Sequence, residues 1–274
     1  MTATGREVLL FPILAVTRHR ELVRQLTWRD VIGRYKGSFL GIAWSFLNPL
    51  LMLSVYSFVF NVVFKARWSA TSTEGPIDFA LVLFVGLIVH GFVADCITKS
   101  PAVIVSNPSF VKKVVFPLEM LPLVTVASAF FHLGVSFAVL VLGLLVTGRP
   151  LHGTVAVFPM IVFPLAVAVL GVCWVLASLG VYLRDIAQTV GIMSSVLLFL
   201  SPVFYPPTAL PERFRFVVDL NPLTFVIEQS RNVIIWGKWP DWLGLFTYSV
   251  VAMLVAASGL WLFQRMRRGF ADVI

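Results

Sequence analysis

Ser45, Asn48, Met52 and Tyr56 recur at spacings of three, four and four residues within a run, 37–64, that carries no charge. On a helix that spacing gathers a hydroxyl, an amide and a phenol on one face, and in lipid such a face turns toward protein or water. Thr125, Ser128, His132 and Ser136 repeat the pattern. Small hydroxyl residues also mediate ordinary helix packing in membranes, so either stripe alone is equally compatible with a packing seam. Groups of this kind exchange hydrogen bonds; they are not a bond-making set. The sequence holds no G-x-x-x-x-G-K-[ST] phosphate loop, because Gly237-Lys238 is followed by Trp239, so the backbone cradle that such a loop offers ATP is missing. H-E-x-x-H, G-x-S-x-G and metal-spaced His/Cys clusters are absent from it as well. The ionisable residues in apolar surroundings reduce to Asp95, His90 and His132. A mid-membrane carboxylate costs roughly 2.5–3.5 kcal/mol on insertion scales, which Asp95 can avoid by reaching the interface or Lys99 at i+4; a proton relay is the alternative use. Cys96 and Cys173 lie far apart in sequence and in or beside apolar runs, which reads as small core hydrophobes rather than a disulfide, metal or redox pair.

The elements that carry these residues follow from composition. Of 274 residues 59% are hydrophobic and 12% charged, against about a quarter charged in an ordinary soluble domain, which excludes that class. Charges divide the chain into uncharged runs at 37–64, 79–94, 120–148, 150–183, 186–211 and 242–264, together 156 residues. About 20 apolar residues cross the hydrocarbon core as a helix. Each run therefore supplies one span, the second by extending to about Thr98, and six spans are expected. The runs are continuously apolar over lengths that a barrel's alternating ten-residue strands do not have, so the fold class is all-α.

Six spans put both termini on one side, and the cations decide which. One side collects Arg6, Arg18, Arg20, Arg24, Arg29, Arg34, Lys36, Lys99, Lys112, Lys113, Arg184, Arg265, Arg267 and Arg268; the other has Lys65, Arg67, Arg149, Arg213, Arg215, Arg231 and Lys238. Fourteen against seven predicts cytoplasmic termini. The net charge of +8 is then a matter of orientation rather than of nucleic-acid binding, for which no basic patch interleaved with aromatics is present. The nine-residue apolar run Val8 to Val16, broken by Pro12 and followed by Arg18-His19-Arg20, is too short and too charged downstream for a cleaved signal peptide. The expected organisation is a cytoplasmic and interfacial segment at 1–36, a membrane domain at 37–264 and a cytoplasmic tail at 265–274.

Between the spans, Thr27 reads as an N-cap for a short amphipathic helix with Trp28, Val31, Ile32 and Tyr35 on its apolar side and Arg29, Arg34 and Lys36 on the other, expected to lie at the membrane surface. Asn107-Pro108 reads as the start of a second short helix, closed by Pro117. Tyr182-Leu183-Arg184-Asp185 is a connection of contact-knob size, or simply a solvated pair. Between the fifth and sixth spans, Ser201-Pro202, Pro206-Pro207 and Pro211 precede a helix start at Asn221-Pro222. The stretch 222–236 is amphipathic, with Leu223, Val226, Ile227 and Ile234 opposite Glu228, Arg231 and Asn232. An interrupted apolar connection of this kind fits re-entrant helices at the outer mouth, with Trp236, Trp239 and Trp242 marking the interface.

The run Arg34-Tyr35-Lys36-Gly37-Ser38-Phe39-Leu40-Gly41-Ile42-Ala43-Trp44 leading to Asn48-Pro49 resembles the start of span one in ABC-2-type permeases of bacterial polysaccharide exporters. Three more stretches agree in order: Asn107-Pro108 through Lys112-Lys113-Val114-Val115-Phe116-Pro117-Leu118-Glu119, then Tyr182-Leu183-Arg184-Asp185-Ile186, then Leu200-Ser201-Pro202-Val203-Phe204-Tyr205-Pro206 with Asn221-Pro222-Leu223-Thr224. The likeness covers nearly the whole chain and is greatest to the O-antigen (lipopolysaccharide) branch, with teichoic-acid exporters as near relatives.

The resemblance implies a homodimer of this chain with two copies of a separate cytoplasmic ATPase that binds ATP and Mg, moving a glycan on a polyprenyl diphosphate carrier across the bacterial inner membrane. It assigns no catalytic residue and no cofactor to this chain. It implies ATPase coupling through Trp28, Arg29, Arg34, Lys112, Lys113, Arg184 and Asp185, and a periplasmic gate including Pro202, Tyr205, Pro206, Asn221, Pro222, Glu228 and Arg231. A sugar polymer has hydroxyl edges and C–H faces, so a channel needs weak hydrogen bonders and stacking rings. Ser45, Asn48, Tyr56, Ser128 and His132 are the expected channel residues. A drug or lipid exporter of the same architecture is the alternative. A membrane-embedded glycosyltransferase would need clustered cytoplasmic acids for a metal diphosphate, where only Asp30, Glu119 and Asp185 are scattered. A proton-coupled transporter fits poorly with so few buried charges.

Overall fold

The computed structural model describes residues 20–64, 68, 76–112 and 116–273. The expected coupling residue Lys113 lies outside them, as do Arg6, Arg18, Lys65, Arg67 and the run Val8 to Val16. Among the described residues every regular element is helical: α1 Arg20–Gly33, α2 Trp44–Ser57, α3 Pro76–Lys99, α4 Met120–Val146, α5 Phe158–Tyr182, α6 Ile186–Leu200, α7 Glu212–Asp219, α8 Pro222–Ile234 and α9 Trp242–Met266, with short helices at Pro108–Lys112 and Phe270–Val273.

Among the described residues, five segments are long and apolar enough to cross a membrane: Gly41–Phe60, Phe79–Ala102, Met120–Val146, Gly153–Tyr182 and Trp242–Gly269. The remaining run, 186–211, does not become one long span as expected. Its helix α6 stops after 15 residues, about 22 Å at 1.5 Å per residue against a core of about 30 Å. Ser201 is extended ahead of Pro202, the conformation a following proline imposes, and the chain turns there.

The bundle is organised around α3, which packs against α2, α4, α5, α6 and α8. Phe84, Val85, Val89, Phe92 and Cys96 belong to one continuous core with Leu165, Cys173, Trp174, Ala177 and Phe263. The cysteines, distant in sequence, meet there as free thiols in contact. Helices α5 and α9 pack along their length, and their backbones approach through Gly171 and Gly259. A Cβ on Gly171 would stand 2.5 Å from the Val255 carbonyl oxygen, and one on Gly259 would strike the Gly171 carbonyl; small residues are what permit such contact in lipid.

Helix α1 departs from its expected form in two ways. It is already helical at Arg20, where Glu21 accepts hydrogen bonds from Arg24 and Gln25 in its first turn, so Thr27 is interior and not a cap. Its buried residues are Val23, Leu26 and Val31, while Trp28 and Ile32 stay largely exposed. Rather than standing alone at a surface, α1 follows the first three turns of α4: Val23 packs with Met120, Trp28 meets Phe131 edge-on at 6.3 Å and Tyr35 meets His132 at 5.8 Å.

Two opposite ends result. Arg34 pairs with Asp95 late in α3, the following turn at Pro101 abuts Gly180 of α5, and the Tyr182 hydroxyl donates to Met266 O. Helix α1, 99–112, 116–119, 182–185 and the described part of the tail therefore share one end, which carries the larger cation set among the described residues. The other end holds 147–154 and 236–241, which meet where Gly237 abuts the His152 ring, and Thr154 Oγ1 donates to Val233 O at the close of α8.

Candidate functional site

The polar stripe on α2 forms as expected and is largely uncovered. Ser45 is half-buried with its hydroxyl donating to Ile42 O at 2.7 Å, Asn48 is exposed, Met52 is 54% exposed and Tyr56 is half-buried. Pro49 lies inside the helix, which leaves the Ser45 carbonyl without its helical donor and adds an acceptor to the same face. Beyond Ser57 the helix widens into a π-helical turn at Phe58–Val63, a rare geometry frequent at functional positions. Here Tyr56, Phe60, Phe64, Phe79 and Trp68 form a chain of ring contacts at 5.0–6.4 Å.

The α4 stripe lies elsewhere. Ser128 is fully buried and its Oγ meets no protein partner; His132 Nε2 is likewise unpartnered. His132 and Ser136 line a 300 Å³ cavity between α3 and α4 with Gly91, Phe92 and Asp95. Within one subunit the two stripes thus border different spaces.

At the cation-rich end, Asp95 receives both Lys99 at 3.1 Å, the i+4 contact the sequence offers, and Arg34, which the sequence does not announce. Burial pushes the adjacent Tyr35 phenol above its ordinary range against the pull of Arg34. Arg29 lies over the Phe110 ring at 6.0 Å, bringing together two of the three expected coupling segments. Lys112, Arg184 and Asp185 are exposed, the last two on the tip between α5 and α6. The second short helix begins at Pro108 directly after Asn107, as expected, and the Asn107 amide donates back to Val103 O. Glu119, buried, accepts from Arg267 of the tail at 2.8 Å while its carbonyl accepts from Trp174 Nε1.

At the opposite end the structure gathers Pro202, Asn221, Glu228 and Arg231. The sequence places Arg231 on the polar face of 222–236, yet it is 1% exposed. Its guanidinium donates to Val82 O, Pro202 O, Val203 O and Glu228 Oε1 at 2.6–3.1 Å and lies 4.3 Å over Trp68. The physical reason is the break at Pro202, which leaves carbonyls that a five-donor side chain can satisfy. Gly86 makes room for it, since a Cβ there would stand 3.0 Å from Nη2 and 3.2 Å from Val203 Cα. Burial lowers the guanidinium to about 10 while Glu228 opposes the shift, so it is charged at physiological pH. The Asn221 amide donates to Ser201 Oγ and its Oδ1 accepts from Leu223 N, capping α8 beside Pro222 as expected. Tyr205 donates to Phe199 O, and Pro206 opens the turn at Pro207–Ala209. No group of three or more His, Cys, Asp or Glu suited to a metal occurs among the described residues.

Sequence reasoning missed the Arg34, Arg231 and Arg267 partnerships and the part of Trp68. The available signal was each cation's place beside an apolar run, which indicates a partner without naming it. Residues 21–235 match the family model described as ABC-2 type transporter. The chain is 26% identical over 256 residues to an O-antigen export system permease protein RfbA of Klebsiella pneumoniae, covering 93% of this chain and 95% of that one. It is 25% identical over 259 residues to the protein of the same name from Myxococcus xanthus, covering 94% and 96%.

Proposed function

The chain belongs to the ABC-2 type transporter family, and from that premise we propose that it is the permease subunit of an ATP-driven exporter of O-antigen polysaccharide in a bacterial inner membrane. The observation that carries this reading is the end-to-end likeness to permeases bearing that name, and the exposed polar and aromatic face of α2 agrees with it. Two copies of the chain would enclose a channel with Ser45, Asn48 and Tyr56 on its wall. Two ATPase subunits, which bind the ATP and Mg, would act on the exposed coupling residues at the cation-rich end, with both termini cytoplasmic by the cation count. The short helix α6 would be the sixth membrane segment, and 206–236 would close the outer mouth. ATPase closure then shifts an equilibrium between shut and open channels, with the diphosphate-linked glycan passing between rings and hydroxyls that release it readily.

The test is depletion of this protein in its host, followed by extraction of polyprenyl-linked glycan. Full-length glycan accumulating inside while surface polymer disappears is the expected result. Absence of any lipid-linked polymer would move the chain to assembly, and unchanged glycan on both sides would overturn the polysaccharide assignment.

A further inference from the structure

A second cavity, of 530 Å³, lies between α1, the end of α3 and the start of α4. Its rim carries Arg29, Arg34, Lys36 and Lys99, with Asp30 the one carboxylate among the described residues lining it. Asp95 holds Arg34 and Lys99 from behind, so counting both acids against four cations leaves a positive recess. Its floor is apolar, formed by buried Leu26, Leu121 and Val124. A cationic rim over an apolar floor selects an amphiphile with an anionic head, and oxygens of a phosphate ester accept from guanidinium and ammonium groups in this geometry.

The 300 Å³ cavity described above shares the Arg34 wall. It continues from the Arg34 and Asp95 pair into Leu87, Ile88, Phe92 and Leu133, with the unpartnered His132 Nε2 among them. Each volume lies within the range of ligand sites, about 300–1,000 Å³, and together they pass from charged to apolar in one direction. Arg29 and Lys36 have exposed side chains and Arg29 only a ring contact, which leaves their donors free for a ligand.

We propose that this recess binds the phosphate or diphosphate head of a membrane lipid, with Arg29 and Lys36 as its principal contacts, Arg34 as the shared wall, and the first part of the lipid chain directed toward the α3–α4 cavity. The head chemistry is common to a bulk anionic phospholipid and to a polyprenyl diphosphate; only the second source rests on the export reading.

The full chain in phosphatidylcholine nanodiscs is titrated separately with a radiolabelled polyprenyl diphosphate and with phosphatidylglycerol. Arg29→Gln/Lys36→Gln should weaken binding by about tenfold or more, as loss of two charge-assisted contacts implies. Arg29→Lys/Lys36→Arg, which keeps the charge and guards against a folding artefact, should retain most of it, and Arg213→Gln/Arg215→Gln at the opposite end should change nothing. Loss confined to the diphosphate lipid assigns the site to the carrier, and loss confined to phosphatidylglycerol or equal loss of both assigns it to lipid phosphate in general. Undiminished binding of both lipids, or an equal fall in the opposite-end variant, overturns the proposal. If binding falls as expected while depletion leaves cellular glycan unchanged, the site stands and the export reading falls.

Discussion

Helices α2 and α3 adjoin in sequence and in space, and both are apolar enough to cross a membrane, yet 72% of the apolar stretch of α3 is buried within the subunit and 6% of that of α2. The mean hydropathies are 2.3 and 1.5, the latter the lowest of the five spans. Leu51, Met52, Val55 and Phe58 of the α2 segment are each more than half exposed, whereas Val82, Leu83 and Val89 of α3 are shut off from solvent. Hydropathy identifies both as spans; burial separates the helix that holds the subunit together from the one presented to something outside it. For α2 that outside is lipid on its apolar residues and, in the export reading, a second copy and the channel on its stripe. Substitutions in the α3 surroundings should therefore act on folding, and those along α2 on transport.

The largest effect belongs to Arg231, which ties α8 and the 202–203 turn to Val82 of α3. Arg231→Ala leaves those carbonyls and the Glu228 carboxylate without their donor, at a cost of about 3–5 kcal/mol. The thermal midpoint of the purified chain should collapse or folded protein should fail to accumulate, while Arg231→Lys, which keeps the charge but not the fork, should fall between. An unchanged midpoint for Arg231→Ala would remove this contact from the scaffold.

What could be read beforehand divides along the same line. The all-helical class and the places of most spans follow from charge-free runs, because exclusion of charge from lipid is local in sequence. The break of the run 186–211 at Ser201-Pro202 was visible as a proline, but whether a proline kinks a span or ends it depends on what satisfies the freed carbonyls, and Arg231 lies 28 residues beyond Val203. The α2 stripe was legible because it is largely uncovered within the subunit and periodicity alone defines it. The α4 stripe had identical spacing and proved to face α3 and α1, since spacing fixes a common face without fixing its direction. Thr27 misled for a related reason: a Ser, Thr, Asp or Asn before an apolar period marks a helix start only where no earlier turn holds, and Glu21 with Arg24 and Gln25 supports one.

Next in size is the tie between the two regions. Arg34, on the segment that leads into α2, reaches Asp95 of α3, with side chains 30% and 24% exposed. Partial burial places the pair between surface and interior values, so a double-mutant cycle of Arg34→Ala and Asp95→Ala should give a coupling of about 1–2 kcal/mol. Because Lys99 also holds Asp95, Asp95→Ala should cost more than Arg34→Ala; the reverse order would mean that Lys99 contributes nothing.

Leu53 is the one residue of α2 that is buried, seated beside Leu81 of α3 at Gly143 of α4. Leu53→Ala should lower stability by about 1–2 kcal/mol, less than a soluble core truncation because lipid tails compete for the same surface. A larger loss would show that α2 is held to the bundle more firmly than its exposure suggests, and the contrast with α3 would narrow.

The smallest effect on stability, and the sharpest on function, is expected at Asn48. Its side chain is exposed and Pro49 follows it in the helix, so Asn48→Leu should leave the unfolding free energy within about 0.5 kcal/mol of the parent, as for surface substitutions away from special features. In lipid the change is favourable to insertion, which removes failed insertion as an explanation for lost activity. If α2 lines the path, replacing an amide by an isobutyl group should reduce surface glycan several-fold while Asn48→Gln preserves most of it. If both variants export normally, the stripe is a packing seam for a neighbouring helix, and α2's exposure marks a contact with lipid or a second copy rather than the wall of a channel.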